Sequence, residues 1–229
     1  FDGEVDDMSA AGRAKSLDFS KKMLAELEAM DLKALSRENQ VDASVLRNQL
    51  RYDVWTIEQL QSWAWDPQGY NATAGGALYT LVARDFAPWP ERLKNATLRM
   101  EKIPALFAQS RENLDPARVP LIHAQTVSKQ NQGVIGIVDG MMMSHAAELA
   151  GEDRTRFDAA VAGLRKAVDE QQKWLDRIRM HLVENLSIDR EDFDLVPVFT
   201  REGGWPAARR AFAGGLEPLL QQLNEAIAA

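Results

Sequence analysis

The sequence predicts an all-α protein, an irregular multi-helix bundle, on three observations. Apolar side chains recur three and four residues apart along most of the chain. Strand-like alternation is nearly absent. Pro, Gly and Asp gather between the periodic stretches, where helices have to stop. With 45% hydrophobic and 27% charged residues among 229, a packed core is expected rather than a disordered chain. Six Trp and eight Phe supply large apolar surfaces for that core.

Taken in order, the stretch Leu17 to Leu35 sets Leu24, Leu27 and Leu35 among Lys, Glu and Asp, the pattern of an amphipathic helix. From Glu38 to Trp65 the pattern sharpens, with Leu46, Leu50, Val54, Ile57 and Leu60 on one face. Asp66-Pro67-Gln68-Gly69-Tyr70 reads as a turn, because Pro fixes φ and Gly relaxes it. A shorter helix is expected over Ala72 to Phe86, ended by Ala87-Pro88-Trp89-Pro90, with Pro90 opening the next. In that helix Leu93, Ala96, Met100, Ile103 and Phe107 form the inward face, and Pro104 predicts a kink. Asp115 is placed as an N-cap with Pro116 as first helical residue, and Pro120 in another first turn. Between Val119 and Leu149, the spacing of Gly133, Gly136 and Gly140 fits either close helix packing or a weak helix.

After the break at Gly151-Glu152-Asp153 comes the clearest helix. Phe157, Val161, Leu164, Val168, Leu175, Ile178 and Leu182 keep the three–four spacing, with Gln171 the one polar residue in the series. Ser187 to Thr200 reads as mixed, and Leu216, Leu220, Leu223 and Ile227 suggest a last short helix. The whole chain, 1–229, reads as a single helical domain with a subdomain hinge near Gly151 as the alternative division.

Charge and composition narrow the function. A net charge of −7 leaves no basic footprint for nucleic acid. The absence of Cys excludes disulfides, thiolate metal sites and cysteine nucleophiles. No apolar run reaches the roughly 18 residues of a membrane span. The chain begins Phe1-Asp2-Gly3, which reads as a processed form or an excised piece, so that a signal or lipidation segment can have been removed.

Three histidines are the obvious places for metal or proton chemistry: His123, His145 and His181. His145 precedes Glu148 and His181 precedes Glu184 by three residues, one helical turn. Neither His-Glu-x-x-His nor Glu-x-x-His occurs, so both common helical metal signatures fail, and hydrogen-bonded surface histidines are expected. The acidic groups Glu26 with Glu28, and Glu191, Asp192 and Asp194, read as solvated faces. No nucleophile elbow, phosphate loop or dinucleotide fingerprint is present. Asn71-Ala-Thr73, Asn95-Ala-Thr97 and Asn185-Leu-Ser187 match the short glycosylation pattern, two of the three on expected helices. The run Met141 to Met143 fits core packing better than an adaptable surface. Trp55, Trp63, Trp65 and Tyr70 fit a structural cluster at a helix end better than a pocket lining. No catalytic, cofactor-binding or metal residue is therefore assigned.

Five stretches in order carry a family resemblance: Leu50-Arg51-Tyr52, Trp65-Asp66-Pro67-Gln68-Gly69-Tyr70, Pro90-Glu91-Arg92-Leu93, Ile103-Pro104-Ala105-Leu106 and Glu112-Asn113-Leu114. Together they resemble the N-terminal, helical half of the bacterial domain-of-unknown-function 885 family, best from Leu17 to Leu121 and more loosely through Phe157 to Leu186. The resemblance implies a helical fold and an exported or lipid-anchored protein of the periplasm or cell envelope. It also implies that longer members look like zinc metallopeptidases, with a His-Glu motif in a C-terminal half. That motif is absent here, so no catalytic residue carries over and no cofactor is expected in this chain. The expected function is that of a non-catalytic half of such a protein, partnered by a catalytic half or a second copy. The rival is a stand-alone binding or scaffold domain holding a peptide or a partner helix in a groove between helices.

Overall fold

The computed structural model describes residues 2–185, and the elements below belong to one compact unit, Phe1–Val183. Among the described residues there is helix and no strand. Ser9 opens α1 (Ala10–Ala29) by accepting from the Gly12 N–H, and Ser36 opens α2 (Arg37–Trp55) by accepting from Asn39. The two run antiparallel, tied by Arg51 to Glu28 at 2.6 Å and Lys21 to Glu58 at 2.5 Å. Their own small core is Leu27, Ala43 and Leu50, with Met23, Leu24, Leu32 and Leu35 against it.

Here the expected face of α2 is corrected. Leu50 is buried, but Leu46 is half exposed and Val54, Ile57 and Leu60 are only partly covered. Beyond α2, Thr56–Leu60 forms a π-turn, which holds one extra residue per turn and carries Ile57 and Leu60 off the register of the helix before it. Gln61, at φ 51°, then stops the helix in the left-handed region.

The expected turn at Asp66 to Tyr70 is also corrected. Asp66 is the N-cap of α3 (Pro67–Val82), accepting from the Gln68 N–H at 3.0 Å, and Pro67 occupies the first helical position. The same residues that make a turn also start a helix, since Pro lacks only an N–H that the first turn would leave unpaired. α3 therefore begins five residues before the expected Ala72 and ends before Phe86.

Pro88 caps α4 (Trp89–Asn113), which continues past Pro104 for a further two turns. Leu93, Ala96, Met100, Ile103 and Phe107 are all buried on it, as their spacing requires. Asp115 caps a short 3-10 turn, and Pro120 stands just before α5 (Leu121–Gln130) as its cap rather than inside its first turn. The glycine-rich stretch settles as a weak helix. α6 (Gly133–Ile137) gives way to a π-turn through Met142 and a 3-10 segment through Glu148. Gly133, Gly136 and Gly140 have open space around them, so close packing does not explain them.

Gly151, at φ 57°, admits the chain into α7 (Gly151–Asn185) and lies within the compact unit. The α7 series from Phe157 through Ile178 is buried as its spacing predicts, and Gln171 with it. Gln171 donates to Ser110 Oγ at 3.0 Å and accepts from Arg111 at 2.7 Å, which satisfies the polar member of the series. Asn131 is likewise fully buried and donates to the Val168 carbonyl at 2.9 Å. Residues of α3, α4, α6 and α7 share one large core centred on Leu78, Leu93, Met100, Phe107, Phe157 and Leu164. Glu184, Asn185-Leu-Ser187, Glu191, Asp192, Asp194 and the expected last helix lie outside the residues whose side chains are described.

Candidate functional site

A cavity of about 500 Å³ opens where the N-terminal segment, the π-turn and the start of α3 meet. Its aromatic wall is Trp63 and Tyr70, and Asp6, Asp7, Arg13, Lys15 and Asp66 bring charge of both signs. The N-terminal segment is distant in sequence from the other two, and hydrogen bonds hold it in place. The Met8 N–H donates to Gln109 Oε1 at 3.0 Å, and the Met8 carbonyl accepts from both Arg13 and Asn113 at 2.7 Å. Gln109 also donates to Asp7 at 2.9 Å. These bonds strap residues 6–8 to the end of α4.

The Arg13 guanidinium lies 4.0 Å from the Trp63 ring centroid, a cation–π contact that orients both. The Trp63 indole donates to the Ile57 carbonyl at 3.1 Å, and the Trp63 carbonyl accepts from the Tyr70 hydroxyl at 2.7 Å. Burial pushes the Tyr70 phenol above its ordinary value, against smaller opposing effects of Asn113 and Arg13. Tyr70 is thus a neutral donor committed to a carbonyl, not a base. Hydrogen bonds from Ser9 hold the Asp7 carboxyl below the usual carboxylate range. Thr56 Oγ1, in the wall, is buried without a protein partner. Gly12 has a steric role: a Cβ there would meet the Asp7 carbonyl oxygen at 2.0 Å. The arrangement can hold an amphipathic group with a flat or apolar part against the rings and a charged part near Arg13 or the carboxylates. It offers no activated nucleophile.

The aromatic group divides. Trp63 and Tyr70 line the cavity, against the expectation of a purely structural cluster. Trp65 packs instead on His123, at 5.6 Å between centroids, and Trp55 stands half exposed beside Tyr52. The histidines do not converge. His123 Nδ1 lies 2.9 Å from Asp66 Oδ1 and 2.9 Å from the Gln68 side-chain amide, which ties α5 to the cap of α3. His145 stacks on Trp89 at 3.7 Å and bonds Glu148 at 2.7 Å. His181 is exposed on α7. Among the described residues no three His, Asp or Glu side chains come together as metal ligands. Glu28 pairs with Arg51, and Glu26 is exposed. Met142 is core, whereas Met143 is exposed. Asn71 and Asn95 both lie on helices, with Thr97 buried and donating to the Leu93 carbonyl. The sequence signals that could have located the cavity were Trp63 and Tyr70 around an N-cap; nothing local pointed to Asp7 or Arg13.

The sequence pattern of a family described as bacterial protein of unknown function, DUF885, matches residues 1–194. The chain belongs to the DUF885 family. This DUF885 chain is also similar to a solved structure, a candidate lipoprotein of unknown function from Shewanella oneidensis. The identity is 30% and the TM-score 0.75, over 81% of this chain and 34% of that one. The chain thus spans about a third of that protein's length. No curated protein matches it. No described helix is long and apolar enough to cross a membrane.

Proposed function

We propose that this DUF885 chain is the non-catalytic helical part of a longer cell-envelope protein resembling zinc metallopeptidases, and that it supplies a wall of the substrate cleft. The observation that carries this reading is the lopsided match: most of this chain superposes on a third of the solved relative. The cell-envelope location rests on that relative's description as a candidate lipoprotein. The zinc belongs, on this reading, to the remainder of the protein. No convergent trio of ligands for it occurs among the described residues. Its own contribution is to hold a substrate side chain in the Trp63–Tyr70 cavity, with Arg13 orienting a carboxylate of the substrate.

The rival, a stand-alone helical domain that binds peptides, is favoured by the same cavity, which has aromatic and charged walls without a reactive group. Full-length protein and residues 1–229, each assayed for zinc by elemental analysis and for peptide hydrolysis with and without chelator, separate the two. Zinc and activity in the full-length protein alone support the proposal. Trp63→Ala in that protein then raises KM several-fold and leaves kcat near its starting value. A full-length protein with neither zinc nor hydrolysis, yet binding peptide through Trp63, establishes the rival.

A further inference from the structure

α2 carries a second apolar face that nothing in the described structure covers. Val41, Val45, Tyr52 and Trp55 are 47%, 65%, 54% and 47% exposed, and their spacing of four, seven and three residues sets them on one stripe. Asn48 falls at the vacant position of that stripe and is exposed too. The face lies nearly opposite the one that packs on α1, since Ala43 and Leu50 are offset from Val41 and Val45 by about half a turn. Tyr52 and Trp55 rest against each other at 6.2 Å between centroids, a preformed aromatic platform. At the other end the stripe runs into a groove of about 620 Å³ lined by Leu32, Lys33, Arg37, Val41, Val45 and Asn48 among others, with no acidic residue in the lining.

We infer that this stripe is the seat of a helix from the remaining polypeptide of the full-length DUF885 protein, one with an apolar face and an acidic residue opposite Lys33 and Arg37. The inference rests on the reading above, that the chain is part of a longer protein. Area favours this occupant over a second copy. The stripe offers on the order of 400 Å² of apolar surface, half of the roughly 800 Å² that one partner gives to a stable association. A segment tethered in the same chain loses little translational freedom on docking and needs less area. The extra polypeptide is at hand, because the solved relative is about three times as long as its matched part. The basic groove and the single Asn48 inside the stripe define polarity and register for a helix, where a smooth apolar surface would not.

The test uses the full-length protein with the photo-crosslinker p-benzoylphenylalanine placed at Val45, and in a second preparation at Ile122, which is equally exposed on α5. Intact mass first establishes whether the polypeptide extends past Ala229, which judges the part-of-a-longer-protein reading by itself. Crosslinks from position 45, and not from 122, to a peptide beyond residue 229 of the same molecule support the inference. Val45→Arg in the full-length protein is then expected to lower Tm by several degrees, while Ile122→Arg leaves it unchanged. Crosslinks joining two molecules at position 45 overturn the inference in favour of a dimer. Solvent oxidation of Trp55 in the full-length protein as fast as that of a free tryptophan overturns it as well, even if the polypeptide is longer.

Discussion

The α1–α2 hairpin and the body formed by α3, α4, α6 and α7 use the same three–four apolar spacing and reach different degrees of burial. In the body, whole helical faces are buried: five successive inward positions on α4 and seven on α7, Gln171 included. In the hairpin the buried apolar cluster is only Leu27, Ala43 and Leu50. Meanwhile Phe19, Val41, Val45, Tyr52 and Trp55 remain in solvent. Spacing specifies that a helix forms and which positions share a face; it does not specify what lies against that face. A helix pair with so little buried surface draws its stability from neighbours more than from itself.

Truncations should expose that contrast most strongly. Phe157→Ala, in the body, should cost about 3–5 kcal/mol, read as a lowered midpoint in urea. Leu50→Ala should cost about 2–3 kcal/mol, and its effect should appear chiefly as faster amide exchange within α1 and α2. Equal protection of α2 and α4 amides would erase the distinction between the regions. Gly12→Ala comes next. In an ordinary helix Ala improves on Gly by about 1 kcal/mol. Here the Asp7 carbonyl occupies the site of the new methyl, so a loss of about 1–3 kcal/mol is expected in thermal unfolding. A stabilised variant would show that the N-terminal strap yields freely.

Gln171→Ala should cost about 1–3 kcal/mol by leaving Arg111 and Ser110 without their partner. On a Ser110→Ala background the same change should cost less, and strict additivity would mean the two side chains are not coupled. The smallest effects are those of pH. The Tyr70 phenol is raised by burial, so the unfolded chain releases that proton first. Its stabilisation is complete below about pH 10 and is lost as pH rises toward the folded value. Tyr70→Phe should flatten that alkaline limb. Glu101 is lowered by its hydrogen bond with Arg156, so its contribution is present above the ordinary carboxylate pKa and lost as pH falls through the lowered one. At this exposed pair the change should be small and shrink with salt.

Much of the body could be read from residues alone. The α4 and α7 faces, the polar break at Gln171 and the cap at Asp115 all follow from local chemistry, whereas the glycine-rich stretch left close packing and a weak helix equally open. The start of α3 was obscured because Asp-Pro-x-Gly serves a turn and a helix N-terminus equally well until the following residues are seen to continue. The placing of Ile57 and Leu60 beyond α2 was obscured by the π-turn, whose extra residue leaves no mark in composition. The cavity was legible only in its aromatics. Its charged wall depends on Gln109 and Asn113 reaching back about a hundred positions to Met8 and Asp7, a pairing that no window of sequence contains.

The π-turn at Thr56–Leu60 has a consequence for how this part of the molecule can vary. It is in effect a one-residue insertion absorbed by a helix. Removing any single residue there would let α2 run on as regular helix, and would swing everything after it by about 100° around the axis. Trp63 would leave its place beneath Arg13, and the hollow would lose its floor while every helix kept its length. A deletion of one codon could therefore abolish or re-aim the recess without touching a residue that lines the core.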